Sequence, residues 1–253
     1  MNNPAHQFHV FRGPTELSPA LARRVASAAA TAVQERGRFR IALSGGSAML
    51  RLAAGFRLLP ELNAYWGAWR VYWADERCVA ADDPNSNYGA ARAEFLDDVP
   101  IPADQIFPVD GTLLPEEAAR AYEAALRREF AADGDAWPRF DVILLGVGGD
   151  GHTASLFPGN PVLTEMVHWA APVWQSPKPP PTRVTLTLPV LNHARQALFV
   201  AMGRDKARVV QKVRAVANGD LLPAQRVHLT AGPCEWFIDE QAAEQPTSES
   251  HHE

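Results

Sequence analysis

The part of this 253-residue chain best suited to move a proton is a glycine-rich segment, Gly146-Val147-Gly148-Gly149-Asp150-Gly151-His152-Thr153-Ala154-Ser155-Leu156-Phe157-Pro158, directly after the apolar run that ends at Leu145. An imidazole near neutral pH takes a proton from water and returns it to a leaving oxygen, and a neighbouring carboxylate orients and tunes it. A lone histidine is more often structural, but one in a glycine-rich loop at a strand's end favours catalysis. The glycines at 146, 148 and 151 also match the dinucleotide fingerprint G-x-G-x-x-G. Pro158 and Pro161 leave little room for the helix that fingerprint needs, and the region around Ala171 lacks its ribose-binding acid. The favoured reading is a loop that projects Asp150 and His152 into a pocket, with no cofactor. His6, His9, His168, His193 and His228 lack such a setting and read as surface or packing residues.

Three further segments offer anion-binding groups. Ile41-Ala42-Leu43 runs into Ser44-Gly45-Gly46-Ser47 and then a helix-like stretch, Ala48 to Phe56. Glycines there let backbone approach a ligand, and free N–H groups at the helix start attract phosphate. Taken alone, a plain strand-to-helix turn explains the segment equally well. Val71-Tyr72-Trp73-Ala74 ends in Asp75, Glu76 and Arg77. Charged groups beyond the carboxyl end of an α/β strand have a reason to meet ligand, and the arginine fork suits a phosphate or carboxylate; a solvated ion cluster is the alternative. Arg183 opens an alternating run to Pro189, and Ala197 to Met202 leads into Gly203-Arg204-Asp205-Lys206. Lys206 sits in the first turn of a helix, where a cation opposes the helix dipole unless an anion binds there.

Asn85 to Gly89 reads as the start of a helix at about 89–97, and the adjacent Asp82 and Asp83, without a spaced third ligand, read as a polar loop and not a metal site.

The elements that must position these groups alternate between two periods. Short β-branched or aromatic runs near 7–11, 39–43, 69–74, 140–146, 168–174, 183–187, 196–202 and 234–239 read as strands. Ala/Leu/Arg-rich stretches between them read as helices, giving an α/β fold with a largely parallel sheet. Ser18-Pro19 reads as a cap opening a helix over 20–36 closed by Gly37, and Pro115 opens another that runs to about Phe130. No repeat or compositional break divides the chain, so a single domain over 1–240 is expected, with a disordered tail over 241–253 whose His251-His252 pair is no metal site.

A hydrophobic content of 47% and a charged content of 21% are those of a packed globular protein. The formal net charge of -5 argues against a nucleic-acid partner, so any anionic ligand needs a local cationic pocket. Cys78 and Cys234 are too few for a disulfide framework. The first ten residues lack signal-peptide character and no run of about 18 apolar residues occurs, so no membrane association and a cytoplasmic location are expected. A monomer is the expected state.

Together SGGS at 44–47, DERCV at 75–79, SNYG at 86–89, GVGGDGHTASLFP at 146–158, RVTLTLPVLN at 183–192 and GRDKA at 203–207 resemble the 6-phosphogluconolactonase family, in the right order across about residues 41–207. Ala48-Met49 departs from the Thr-Pro that usually follows SGGS. Related glucosamine-6-phosphate deaminases share a loop similar to GGDGH but continue into a segment with a catalytic glutamate, where Ser155-Leu156-Phe157-Pro158 stands here; Arg77 replaces their aromatic residue after Asp-Glu. The resemblance implies a Rossmann-like three-layer α/β/α fold and a sugar-phosphate lactone, 6-phospho-δ-gluconolactone, as substrate in the oxidative pentose phosphate route. It implies no metal or nucleotide. His152 then serves as general base, with Asp150 and Asp75 as further catalytic candidates, and Arg77, Arg183, Lys206 and Ser44-Gly45-Gly46-Ser47 bind substrate. The same scaffold carrying an isomerase or deaminase, or a non-catalytic sugar-phosphate sensor, are the rival readings.

Overall fold

Strands buried on both faces become neighbours in a parallel sheet, because only helices packed on either side satisfy such runs. The computed structural model describes residues 6–62, 64–215, 219–232 and 234–244. Its elements are β1 (His6–Phe11), α1 (Pro14–Arg36), β2 (Phe39–Leu43), α2 (Ser47–Leu58), β3 (Trp69–Trp73), β4 (Asp75–Arg77), α3 (Asn87–Glu94), α4 (Pro115–Phe130), β5 (Val142–Gly146), β6 (Ala170–Val173), β7 (Arg183–Leu186), α5 (Leu188–His193), β8 (Ala197–Ala201), α6 (Ala207–Arg214), α7 (Pro223–Arg226), β9 (Cys234–Asp239) and α8 (Glu240–Ala243). Every residue of β2 and β8 is buried. The main sheet has six strands in the order β1-β9-β8-β5-β2-β3, all paired parallel. The expected α/β architecture with a largely parallel sheet is the one observed.

Its register places the site. Leu43 lies opposite Leu144 and Trp73, and Gly146 opposite Val200. The loops that leave β2, β3, β5 and β8 therefore emerge side by side on one edge. From β2 the chain steps to β3 on one side, and from β5 it steps to β8 and β9 on the other. The gap between β2 and β5 is the switch point at which α/β sheets open a crevice.

A second sheet, β4-β7-β6, is antiparallel. Ala74 joins the two sheets: its N–H donates to Leu43 and its carbonyl accepts from Leu186. The charged residues after Trp73 thus form a short paired strand and not a loop, with Asp75 opposite Thr185 and Arg77 opposite Arg183. One contiguous buried core runs from Leu17 to Ala242. No helix among the described residues is long and apolar enough to cross a membrane.

Boundaries differ at two helices. α1 starts at Pro14 with Gly13 as its N-cap, so Ser18 and Pro19 lie inside it. Pro19 forfeits one backbone hydrogen bond, which burial of Leu17, Leu21 and Ala22 outweighs. α1 ends at Gly37 in the left-handed region (φ 70°), and α4 spans Pro115–Phe130, both as expected. At the other end the chain stays folded past residue 240: α8 is capped by the Asp239 side chain, which accepts from the Ala242 N–H, and Ala242 is buried. Residues 245–253 lie outside the described residues.

α1 crosses α2 closely at Gly55, where a β-carbon would overlap the Ser18 carbonyl. Helix propensity alone favours Gly55→Ala by about 1 kcal/mol. Because the obstacle is backbone, overpacking of roughly 1–3 kcal/mol decides the sign. Urea unfolding of Gly55→Ala should therefore show a net loss of stability; a gain would mean the helices separate freely.

Candidate active site

The β5 strand delivers the chain into a tight loop that closes on itself. The Gly148 N–H donates to the His152 carbonyl, the Gly151 N–H donates to the Gly148 carbonyl, and the Thr153 hydroxyl donates to the Gly146 carbonyl at 2.8 Å. Gly151 holds φ +85°, a conformation open to glycine. A β-carbon at Gly148 would overlap both the His152 ring and the Asp150 carboxylate. Glycine there lets the two side chains fold back over the loop. His152 Nδ1 then lies 2.5 Å from Asp150 Oδ1, and the His152 N–H donates to the same oxygen at 3.2 Å. With Nδ1–H donated to the carboxylate, Nε2 keeps its lone pair.

The His152 ring packs on Phe157, with centroids 4.5 Å apart. Burial pushes its pKa below the usual imidazole value of 6.5, and the hydrogen bond and charge of Asp150 oppose that shift. The net shift favours the neutral imidazole. Burial works against the Asp150 charge as well, but the hydrogen bond and charge of His152 prevail and hold its carboxyl below the ordinary range.

Between β5 and β2 a cavity of about 220 Å³ opens beside this pair. His152, Ser44, Gly45, Gly46, Ser47, Asp75, Arg77, Arg183 and Lys206 all line it. The sequence-derived set is thus brought together, except that Asp150 stands behind His152 and does not reach the cavity. On the β2 side, Gly46 caps α2 with φ 68° and no side-chain bond, leaving the positive helix end open towards the cavity. The Ser44 hydroxyl is buried without a protein partner. Gly45 is pressed against Asn87, whose Oδ1 a β-carbon would overlap.

The DER segment divides its labour. Glu76 turns away from the cavity and accepts from the N–H groups of Arg77, Asn87 and Tyr88, each at 2.7 Å, and from the Ser86 hydroxyl. Burial raises its pKa while the backbone donors oppose the shift. It fixes the start of α3, where Ser86 is the N-cap, two residues ahead of the expected start at about 89. Asp75 Oδ2 accepts from the Ser155 hydroxyl at 2.7 Å and lies 4.0 Å from Arg183 Nη1. Arg183 is itself clamped: Nε donates to the Pro180 carbonyl, and Nη2 donates to those of Lys178 and Pro179. Arg77 Nη1 donates to the Asn85 carbonyl at 2.5 Å.

Lys206 is the N-cap of α6, at the end of a 3-10 turn. It already has a carboxylate partner, Asp205 Oδ2 at 2.9 Å, so a bound anion is not needed to explain a cation at that helix start.

Sequence reasoning missed two lining side chains, Lys178 and Asn87. Asn87 was hidden in a helix-start pattern. Lys178 was hidden in the proline-rich run 177–181; its signal was a cation just ahead of a strand that opens with Arg183. The fingerprint glycines are followed by no α-helix: from Val147 to Trp169 the helical structure is a single 3-10 turn, Pro161–Thr164. Among the described residues no cluster of three or more His, Cys, Asp or Glu side chains is placed to hold a metal ion.

A parallel sheet with a switch-point crevice, an imidazole held by a carboxylate, and four cations around one cavity define an α/β protein with a cationic pocket suited to a small anion. Comparison with known proteins gives the family. A family model described as "Glucosamine-6-phosphate isomerases/6-phosphogluconolactonase" matches residues 12–236, and the chain belongs to this family. It is 45% identical over 237 residues to a 6-phosphogluconolactonase of Rattus norvegicus, covering 92% of this chain and 91% of that one. The corresponding human protein is 44% identical with the same coverage. A solved structure titled 6-phosphogluconolactonase from Trypanosoma cruzi superposes with a TM-score of 0.83 at 29% identity, covering 97% of this chain and 99% of that one.

Gly148→Ala tests the loop. The added methyl must displace His152 or Asp150, so turnover should fall on the order of 100-fold or more, the scale of a lost general base, while circular dichroism stays native. A folded variant of unchanged activity would show that this pairing is dispensable.

Proposed function

We propose that this chain is a 6-phosphogluconolactonase, which adds water to 6-phospho-D-glucono-1,5-lactone and yields 6-phospho-D-gluconate, without a metal or nucleotide. The observation that carries the reading is His152, held by Asp150 and opening on a cavity lined by Arg77, Lys178, Arg183 and Lys206. The named activity of relatives covering nine-tenths of the chain supports it.

In this mechanism His152 Nε2 takes a proton from water as the water oxygen bonds to the lactone carbonyl carbon. The carbonyl electrons move onto oxygen. As they return, the bond from that carbon to the ring oxygen breaks, and His152 gives its proton to the ring oxygen. The acid product then ionises. Asp150 stabilises the transient imidazolium and keeps the tautomer correct. Asp75 acts at one remove, since its carboxylate is occupied by Ser155 and Arg183.

The phosphate is held at the start of α2, where the Gly45 to Ser47 amides and the unpartnered Ser44 hydroxyl meet Arg77 and Lys206. Arg183 has most of its donors committed to carbonyls, so it contributes charge and holds the loop more than it grips the ligand.

Ser155 occupies the position just after the loop where the deaminase pattern continues towards its glutamate, and its hydroxyl is spent on Asp75. Ammonia release from glucosamine 6-phosphate should be absent.

The decisive assay follows decay of freshly generated lactone against protein concentration, counting only the rate in excess of spontaneous hydrolysis. His152→Gln should lower kcat by roughly 10²- to 10⁴-fold with little change in KM. Lys206→Ala should mainly raise KM, because a phosphate contact exists in both ground and transition states. The pH profile has a definite sign. The base form is needed and burial lowers the His152 pKa, so wild-type kcat/KM should fall on the acid side with a midpoint below the ordinary imidazole value of 6.5. A His152→Gln enzyme near wild-type rate would remove histidine as the base.

A further inference from the structure

The proline-rich segment before β7 is read from sequence as an interruption, yet its backbone is among the most firmly held near the cavity. The Lys178 carbonyl accepts from Arg183 Nη2 at 2.9 Å and from the Ser176 hydroxyl at 2.8 Å, and the Lys178 N–H donates back to that hydroxyl at 3.3 Å. The Pro179 and Pro180 carbonyls accept from the same guanidinium. Arg183 is buried and anchored in turn through Ser155 and Asp75. A firmly held backbone therefore carries an exposed side chain into the cavity.

The cavity's cations are not equivalent. Arg77 lies by the Asn85 carbonyl, Arg183 by Asp75, and Lys206 by Asp205. Lys178, by contrast, lines the cavity with an ammonium that has no hydrogen-bond or ion-pair partner among the described residues. An unpaired cation lining the same cavity as the base is available to the negative charge of a water-attack intermediate, because the base, the water and the carbonyl must lie within a few ångströms of one another.

We infer that Lys178 is a catalytic residue of the lactone hydrolysis, its ammonium holding the oxyanion that forms when water, deprotonated by His152, bonds to the lactone carbonyl carbon. The inference rests on the lactonase reading above. Collapse of that oxyanion returns the electron pair to the carbonyl, the ring carbon–oxygen bond breaks, and His152 protonates the ring oxygen while Lys178 keeps its proton throughout. Arg183, Ser176 and Ser155 are positioning residues for this cation.

Two readouts separate this role from phosphate binding. Lys178→Met, an exposed substitution that leaves the Arg183 clamp on backbone carbonyls intact, should lower kcat on the order of 100-fold with KM changed only about threefold, as for loss of one oxyanion donor. Lys178→Arg should recover part of that loss. The second readout is the acid limb of kcat/KM. The charged groups acting on His152 are Asp150 in its own loop, Asp75 on β4 and Lys178 ahead of β7. Removing the cation lets the imidazole hold its proton more tightly, so the limb should move to higher pH in Lys178→Met. A kcat within twofold of wild type would overturn the assignment, as would a raised KM at unchanged kcat, which would place Lys178 on the phosphate. A wild-type protein that does not accelerate lactone decay would overturn the lactonase reading itself, before any variant is compared.

Discussion

β2 and β5 pair in parallel, Leu43 beside Leu144, and the chain leaves this pair in opposite directions. Two loops that open at that seam cannot avoid each other: one starts at Ser44 and ends in the free amides of α2, the other starts at Val147 and ends in His152. Apart from the buried Arg40, both strands are apolar along their buried length, so a register slip would move leucine and isoleucine side chains out of their packing layers. The precision of the site is thus inherited from the core. The anion-attracting helix end and the proton-accepting imidazole meet because hydrophobic burial aligns their strands.

The second constraint is the management of charge in a chain that is acidic overall. Four cations face one cavity, and three of them, Arg77, Arg183 and Lys206, are restrained by an oxygen. Arg183 and Asp75 are both buried, a placement that costs desolvation unless donors and acceptors are satisfied. The Ser155 hydroxyl and three backbone carbonyls provide that satisfaction. This arrangement explains why the small antiparallel sheet exists at all. β4 and β7 bring Asp75, Arg77 and Arg183 into one layer over the crevice, and β7 pins the proline-rich loop that brings Lys178.

Much of this was written locally in the sequence. Each strand expected from a β-branched or aromatic run is present, because those runs carry the burial that defines them. The site residues were readable for a related reason, since chemistry-bearing side chains follow directly after apolar strands and the carboxyl edge of a parallel sheet collects them. What escaped depended on distant partners. β4 looked like a loop because Asp75, Glu76 and Arg77 are polar, and only pairing with β7 more than a hundred residues later makes them a strand. α1 begins ahead of Pro19 because burial of Leu17 outweighs a lost hydrogen bond, a tertiary override of a local start signal. Asp150 and Lys178 exchanged prominence for a geometric reason: Asp150 lies behind the imidazole, while a lysine between prolines is carried to the cavity by a guanidinium that no local pattern links to it.

The account turns on the state of one imidazole, which is directly observable. Nitrogen-15 NMR of histidine-labelled protein, with the His152 signals assigned by their loss in His152→Gln, reports both ring nitrogens against pH. The structure predicts Nδ1 protonated and Nε2 bare at pH 7, with the ring charging only below the ordinary imidazole pKa of 6.5. A proton on Nε2 in the neutral form, or an imidazolium persisting at pH 7, would contradict the claim that Asp150 and the buried loop hold His152 ready to take a proton from water.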